Sequence, residues 1–561
     1  MGNSAKIELA IERLLARPWL VYVLATLFLV FPVPFTGDLL GHPEIDVWNH
    51  VWGYWFFADS FGSGSLPWFT DMLGSPGGGL LYFVDPVGAL AATPLSWLFG
   101  VGFAFNAVQV LRVVLAGWVT HKLASAVTGE GIHNYAAGLA LMTSPYLLGE
   151  LGNGISEVST VWWVPLSLWA FVLATRQASV RSWLFLGLAV GGTMVATFYY
   201  GATVALVLPV LWLAGSPKVS QLKGLVGAAL VAIAISLPML LALQYSIASP
   251  DALITRSTDL NLQLMHHNSV ELREYLIPGF ETVDFEAEYG EKFVHTGYLR
   301  WSVLILAVMA FRRNRESSRA WVVAGVWSAV LGLGSFVWWG GDLVRIWGHE
   351  VPLPFGFIQE AIPLFAITHP LRFSVLAQVV GAMMVAWALV GASRKKTAIA
   401  IGLVVLEGLA VARWPIPVAE SDIPEIYSEI AASDDMRGVL DLPGEVGLTM
   451  SSSRYFWYQT EHKHPVPYLP DARSGSANDR EVFLWLVHAS GQPGNRSDLW
   501  ISGLVPARLQ EMRRHVTERY GWIIVHRELE AQIAPEGTFS EGISQVLGEP
   551  EEYDFGWVWR L

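Results

Sequence analysis

The chain of 561 residues is too apolar to form a set of water-soluble domains. Hydrophobic residues make up 53% of it, charged residues only 15%, and the mean hydropathy is +0.43. So little polar surface cannot coat several globules, and 12% aromatic residues exclude a disordered chain. The net charge of −13 argues against a nucleic-acid partner, and the lack of cysteine excludes disulfides and thiolate metal centres. The composition is that of a polytopic membrane protein.

Apolar runs close to the length that a helix needs to cross a bilayer recur along the first 414 residues. They predict eleven transmembrane helices, at residues 18–36, 104–127, 133–151, 157–175, 182–198, 199–215, 224–247, 298–312, 320–338, 371–392 and 397–414. Lys and Arg concentrate in alternate loops, which predicts a cytoplasmic N-terminus by the positive-inside rule. The apolar stretch 85–100 is shorter, so we expect an interfacial helix on the outer surface.

Three regions are predicted to lie outside the membrane domain of residues 1–414. Two are outer loops, at residues 37–103 and 248–297, and the third is the tail from residue 415 to 561. The tail has 23 acidic and 12 basic residues, so it holds −11 of the total charge. Strand-like runs in it, with a helical pattern between them, predict an extracytoplasmic α/β domain.

The first outer loop combines acids with tryptophans. It has six acidic residues, while no Lys or Arg occurs from residue 33 to 105. Asp46 opens a segment that contains Trp48 and Trp52. A carboxylate held near the membrane surface can act as a general base, and the rings suit stacking on a sugar. The alternative is a helix-capping Asp within an interfacial belt of Trp.

A second polar group lies at the outer turn between predicted spans three and four. Glu150, Asn153 and Glu157 are three and four residues apart, so in a helix they share one face. They could bind acceptor hydroxyls, or a divalent ion together with Asp46, since such ions take oxygen ligands. Helix capping on both sides of the turn is the alternative.

Cations that could bind a lipid phosphate are few on the outer side. His369 and Arg372 precede predicted span ten, and Arg suits phosphate because its fork donates two hydrogen bonds. Their alternative role is to anchor the span at the interface. Arg112 is a further candidate for substrate binding. It lies within span two, where an unpaired charge is expensive, so the alternative that we expect is pairing with an acid of the first outer loop.

Several segments together resemble a known superfamily of membrane enzymes. They include "DVWNHVWGYWF" after span one, "NGISEVSTVWWVPL", "FYYGA" and "ITHPLRFSVLAQ". With an Asp near the start of the first outer loop and two surface helices, the chain resembles the GT-C glycosyltransferases. These include protein O-mannosyltransferases, the aminoarabinose transferase of lipid A and oligosaccharyltransferases, and the bacterial YfhO-like group is more similar. The resemblance implies an α-helical GT-C membrane domain.

The resemblance also implies a reaction. It is inverting transfer of a sugar from a polyprenyl-phosphate donor to an envelope glycan, lipid or protein, on the outer face of the bacterial cytoplasmic membrane. The superfamily's first-loop Asp corresponds to Asp46, which would be the general base, and Glu44 is a neighbour that could replace it. His42 stands where relatives often have an acid.

Two other functions remain open from the sequence. One is a transporter or flippase of lipid-linked glycans, and the other is a noncatalytic assembly protein on the same scaffold. ATP-driven transport is not expected, because the sequence has no G-x-x-x-x-G-K-[ST] phosphate loop. Transporters place ionisable groups near mid-membrane, whereas here the acids gather at the outer boundary. This distribution favours the transferase.

Overall fold

The computed structural model describes most of the chain. The described residues are 17–254, 258–278, 296–340, 342–362, 367–412, 414–444, 453–469, 506–533 and 537–561. The helices up to residue 411 are, in chain order, α1 Pro18–Leu29, α2 Val33–Thr36, α3 Val47–Gly62, α4 Pro86–Phe99, α5 Val101–Thr128, α6 His133–Met142, α7 Pro145–Gly152, α8 Trp163–Gln177, α9 Val180–Ala196, α10 Phe198–Ala214, α11 Leu222–Ala248, α12 Thr258–His267, α13 Trp301–Arg313, α14 Arg315–Gly332, α15 Pro354–Ala361, α16 Val375–Leu389 and α17 Arg394–Val411.

The predicted spans overlap helices of this bundle. Predicted span one covers two of them, α1 and α2, and predicted span nine, 320–338, extends beyond the end of α14 at Gly332. Predicted span three is two helices, α6 and α7, because Pro145 cannot continue the α6 hydrogen bonds and starts a new helix capped by Ser144. Within the described ranges, three helical segments are long and apolar enough to cross a membrane, Val101–Thr128, Val219–Ala248 and Pro370–Leu389. The mainly helical fold is confirmed, and the number of eleven crossings stays a prediction.

The first outer loop contains the two predicted surface helices. Helix α3 follows Asp46, and α4 fills the apolar stretch that was predicted to be interfacial. Between them, β2 (Phe69–Thr70) pairs with β3 (Gly79–Leu80). The backbone nitrogen of Gly88 donates to the Asp85 side chain at 3.1 Å, which caps α4.

The tail contains an α/β unit, as its strand-like runs predicted. Its strands are β8 Val418–Ala419, β9 Gly438–Leu442, β10 Tyr520–His526, β11 Glu551–Tyr553 and β12 Gly556–Arg560. Four form a sheet of order β11-β12-β10-β9, in which β9 and β10 are parallel and the other pairs antiparallel. Its helices are α18 Ile426–Ala431, α19 Arg454–His462, α20 Pro506–Arg519, α21 Arg527–Ile533 and α22 Thr538–Leu547.

The tail and the first outer loop share one hydrophobic core. Strand β1 (Leu39–Leu40) pairs with β8, and α3 packs on α19. Trp48 and Trp52 are buried there with Tyr427 and Ile523, and burial of large side chains is the main stabilising term in folding. Helix α3 is therefore fixed by the tail on one side and by the bundle on the other.

Candidate active site

Two segments that the sequence singled out, the start of α3 and the turn after α7, are packed against each other. The backbone nitrogen of His42 donates to the carbonyl of Gly152 at 2.8 Å. Gly154 has φ +74, and a Cβ there would lie 2.7 Å from Cβ and 2.8 Å from Cα of Val47. Only glycine accepts both this backbone conformation and this approach. The start of α3, which follows Glu44 and Asp46, is thereby packed against the turn that contains Glu157.

Glu157 lies between an imidazole and a guanidinium. Its Oε2 is 3.4 Å from Nε2 of His50, and its Oε1 is 3.5 Å from a terminal nitrogen of Arg372. Nδ1 of His50 contacts the Ser156 hydroxyl at 2.9 Å. All four residues are buried. Buried charges need paired partners, so this group links α3, the α7–α8 turn and the start of α16.

Arg372 is further surrounded by aromatic and polar groups from two other segments. Its guanidinium carbon is 4.2 Å from the ring centre of Tyr199, a cation–π contact. Nδ1 of His369 is 3.3 Å from the Tyr199 hydroxyl and 2.8 Å from that of Thr368. Nε of Arg372 is buried and has no hydrogen-bond partner among the described residues. A buried donor of this kind usually faces a ligand or water.

Glu150 adds negative charge to the same region. It is buried at the end of α7, within electrostatic range of Arg372, as is Glu157. The hydroxyls of Tyr146 and Tyr200 lie 3.1 Å apart beside it. The structure therefore brings together four of the predicted site residues, Glu150, Glu157, His369 and Arg372.

Burial acts strongly on the Glu157 carboxyl, which lies in the turn before α8. It raises the pKa of Glu157 above the ordinary value, although His50 and Arg372 act in the opposite direction. The proton is therefore bound more tightly there than on an exposed carboxylate.

Arg112 pairs with an acid of the first outer loop, as predicted, and its partner is Asp85. One of its terminal nitrogens donates to both carboxylate oxygens at 2.8 Å, and the Tyr54 hydroxyl donates to Oδ2 at 2.8 Å. The other terminal nitrogen donates to the Ser156 carbonyl at 2.6 Å. This ion pair lies directly behind the His50–Glu157 contact and connects α4 and α5 to it.

The acids predicted for catalysis lie at the start of α3. Asp46 is partly buried at the N-cap position, and its Oδ1 accepts from the Asn49 amide at 3.4 Å. It precedes His50 by one helical turn, so the two share a face. Glu44 is exposed, and Asn153 is fully buried at the C-cap of α7. Their roles stay predictions.

The two predicted sugar-stacking tryptophans are inside the core shared with the tail. The indole nitrogen of Trp48 donates to the Pro43 carbonyl at 2.8 Å, and that of Trp52 donates to Gln459 at 2.7 Å. Trp52 also stacks on Phe56 at 5.2 Å. Both indoles are buried, so their faces contact protein.

A divalent ion finds no ligand cluster in the part of the chain that the structure describes. No group of three or more His, Asp or Glu side chains there has the arrangement of a metal site. Glu157 already contacts the Arg372 guanidinium and the His50 imidazole, which disfavours a second role as a metal ligand. No step proposed below involves a metal.

Three residues of the site were not predicted from the sequence, His50, Tyr199 and Ser156. His50 stands four residues after Asp46, a spacing that puts both on one helical face. Tyr199 belongs to the "FYYGA" segment, whose position next to span ten depends on helix packing. Ser156 contributes its backbone carbonyl as well as its hydroxyl.

The fold is that of the GT-C glycosyltransferases. The resemblance first seen in the motifs is confirmed at the level of the fold, since the similar solved structures are enzymes of this class. No protein-family model matches the chain, and no curated protein matches it.

Three solved structures illustrate the similarity. The arabinofuranosyltransferase AftD from Mycobacteria matches with a TM-score of 0.54 and 17% identity, over 91% of this chain and 36% of that one. The chain thus spans about a third of AftD. The oligosaccharyltransferase of Archaeoglobus fulgidus, in its apo form, gives 0.52 and 12% identity, over 95% of this chain and 71% of that one. The same enzyme with an inhibitory peptide and a dolichol-phosphate gives 0.51 and 12%, over 91% and 69%.

Proposed function

We propose that the protein is a membrane glycosyltransferase that takes its sugar from a polyprenyl-phosphate donor. The observation that carries this proposal is the buried Nε of Arg372, an unused donor next to His369 and Tyr199. Arginine binds phosphate through paired N–H groups, so a donor phosphate is the ligand that this group fits. One of the solved structures of similar fold contains dolichol-phosphate, a lipid of the same class.

Glu157 and His50 hold Arg372 ready for that ligand. A buried guanidinium without a counter-charge would destabilise the fold. A guanidinium whose N–H groups all donate to protein atoms would have none left to donate to a phosphate. The 3.5 Å contact with Glu157 balances the charge of Arg372 without occupying Nε. Glu150 and Asn153, on the adjoining turn, are proposed to bind the sugar or acceptor hydroxyls.

Asp46 is proposed as the general base, with Glu44 as the neighbour that could replace it. The acceptor hydroxyl loses its proton to the carboxylate while its oxygen attacks the anomeric carbon. The bond from that carbon to the phosphate oxygen breaks, and polyprenyl phosphate leaves with the electron pair. Attack and departure on opposite faces invert the anomeric centre.

The proposal includes the topology. The N-terminus is cytoplasmic, eleven helices cross the bacterial cytoplasmic membrane, and residues 415–561 form an extracytoplasmic domain. The acceptor is then an envelope glycan, lipid or protein on the outer side. This orientation puts the start of α3 and Arg372 at the outer surface.

The test is transfer by the purified protein in liposomes with a labelled polyprenyl-phosphate sugar and envelope extract as acceptor. We expect Asp46→Asn to lower transfer by at least about a hundredfold, the size of a general-base contribution. Arg372→Gln should lower it by about a hundredfold as well, through loss of charge stabilisation on the leaving phosphate. Asp59→Asn is the matched control, because Asp59 is an exposed acid of the same loop.

Four outcomes would contradict the proposal. Full activity of Asp46→Asn would refute the assigned base, and full activity of Arg372→Gln would refute the phosphate site. If wild-type protein bound the donor but moved it across the bilayer without transfer, the protein would be a flippase. Binding without either activity would indicate a noncatalytic assembly protein.

A further inference from the structure

The loop between α14 and α16 is a compact β structure with an apolar tip. Its strands are β4 Trp338–Trp339, β5 Asp342–Leu343, β6 Arg345–Ile346 and β7 His349–Glu350, paired as two hairpins. We call residues 335–362, which include α15, the α14–α16 loop. The loop is independent of the catalytic residues proposed above.

The tip of the second hairpin holds a tryptophan in an unfavourable conformation. Trp347 and Gly348 form the two-residue turn, with φ of 53 and 82. A turn with two positive φ values is usually built from Asn, Asp and Gly, because a bulky side chain is strained there. Trp347 is nevertheless present, and it is 96% exposed. The local fold does not require a tryptophan in this strained conformation, so its presence indicates a function for the side chain.

Other apolar side chains of the loop are exposed with it. Trp339 is 56% exposed, Ile346 52% and Phe357 60%. Among the tail side chains whose exposure the structure describes, by contrast, Met436 is the sole large apolar one that is this exposed. The α14–α16 loop thus presents an apolar patch.

The loop holds these side chains on a well-connected frame. The backbone nitrogen of Val344 donates to Val337 at 2.9 Å, that of Val351 to Val344 at 3.1 Å, and that of Val337 to Val351 at 3.2 Å. At its base, the nitrogen of Leu353 donates to the Ser335 carbonyl at 2.8 Å. The tip is thus presented by hydrogen-bonded backbone.

We propose that the tip of the α14–α16 loop inserts into the outer leaflet, at the boundary between lipid headgroups and acyl chains. The loop starts directly after α14, whose Val326 is an exposed apolar residue, and ends just before the membrane-length segment Pro370–Leu389. The apolar patch thus continues the lipid-facing surface. Tryptophan is enriched at this depth of the bilayer.

The composition of the tip favours lipid over a glycan. A sugar site needs hydrogen-bonding groups beside its aromatic ring, whereas Ile346 and Phe357 offer none. Arg345 is 61% exposed beside the tip and can contact a lipid phosphate, while keeping its 3.4 Å contact with Glu350. A lipid surface satisfies both the apolar residues and the cation.

The test uses the absence of cysteine from the chain. Trp347→Cys and, as a second reporter that retains the tryptophan, Ile346→Cys are each labelled with an environment-sensitive fluorophore. Met436→Cys in the tail is the matched control, since it is also exposed. The labelled proteins are placed in nanodiscs with lipids that carry a nitroxide quencher near the headgroup. We expect both loop labels to be quenched at least threefold more than the tail label.

The alternatives give different results. Equal quenching of loop and tail labels would overturn the insertion. Loop labels that are shielded only when several copies share a nanodisc would show contact with a second copy instead, and would also overturn it. Neither result would affect the transferase proposal, because the assay involves no donor or acceptor.

Discussion

Two buried ion pairs lie on either side of the Ser156–Glu157 turn, and they differ in how completely their hydrogen-bonding groups are satisfied. Asp85 and Arg112 share two 2.8 Å contacts, and Tyr54 and Gly88 donate to the same carboxylate. Glu157 and Arg372 meet at 3.5 Å. Among the described residues, Nε of Arg372 has no hydrogen-bond partner.

The difference separates a structural pair from one that can bind a ligand. The Asp85 carboxylate already accepts hydrogen bonds from Arg112, Tyr54 and Gly88. This pair therefore holds α4 and α5 together and offers little to a substrate. Nε of Arg372 is left without a partner among the described residues, and in the proposed function this unused donor binds the ligand. The comparison predicts that damage to the first pair mainly costs folding, and damage to the second mainly costs ligand binding.

The largest expected effect is the loss of stability when the Asp85–Arg112 pair is broken. Asp85→Ala leaves the Arg112 charge buried without its carboxylate, which should lower the free energy of unfolding by about 3–5 kcal/mol. Unfolding by detergent titration in mixed micelles measures it. Replacing both partners, as Asp85→Ala with Arg112→Met, should recover much of the loss, because no buried charge is then uncompensated. If the double variant were no more stable than Asp85→Ala, the pair would not be the cause.

The contact that brings the two site segments together should be the next most sensitive. Gly154→Ala puts a methyl group 2.7 Å from Cβ of Val47 and also strains a residue with φ +74. We expect a loss of about 1–3 kcal/mol in the same titration. Gly37→Ala is the control, since Gly37 has φ +81 but nothing within 4 Å of a Cβ. Equal losses in the two variants would mean that crowding against α3 is unimportant.

The sequence predicted the parts of this site better than their assembly. The length of the apolar runs predicted the spans, and the cost of a buried charge predicted that Arg112 pairs with a first-loop acid. The partner could not be chosen among six acids, because that choice depends on where α4 lies. The same limit explains Trp48 and Trp52, whose amphipathic rings fit a membrane surface in sequence but pack against a tail about 400 residues away.

The sequence predicted Glu157 and Arg372 as site residues, but not the geometry of their contact. Glu157, His369 and Arg372 were selected by residue type and by position near the outer membrane boundary. Their joint contact with Tyr199 and His50 comes from helix packing across α3, α10 and α16, which periodicity does not contain. The unused Nε of Arg372 is visible only when all neighbours are in place.

Arg372 itself should matter less for stability than Asp85. Arg372→Gln removes a looser contact, and His50 remains beside Glu157, so we expect a loss of about 1 kcal/mol. Binding of undecaprenyl phosphate in nanodiscs should weaken at least tenfold, with Arg372→Lys intermediate because it keeps the charge but not the fork. A stability loss as large as that of Asp85→Ala, with unchanged lipid binding, would remove the distinction between the pairs.

The smallest expected effect concerns the proton on Glu157. Since its folded-state pKa is raised, the folded protein holds this proton more tightly than the unfolded chain does. The stability contribution of the proton is complete below the ordinary carboxyl pKa and is lost as pH rises through the raised value. Glu157→Gln stays neutral and should not show this loss, so the difference in unfolding free energy between the two proteins should change by up to about 1.4 kcal/mol per unit of pKa shift.

Titrations from pH 4 to 8 measure how the unfolding free energy changes with pH, with Glu44→Gln, at an exposed residue, as control. Parallel curves for all three proteins would mean that the Glu157 carboxyl holds its proton no more tightly in the folded protein than in the unfolded chain.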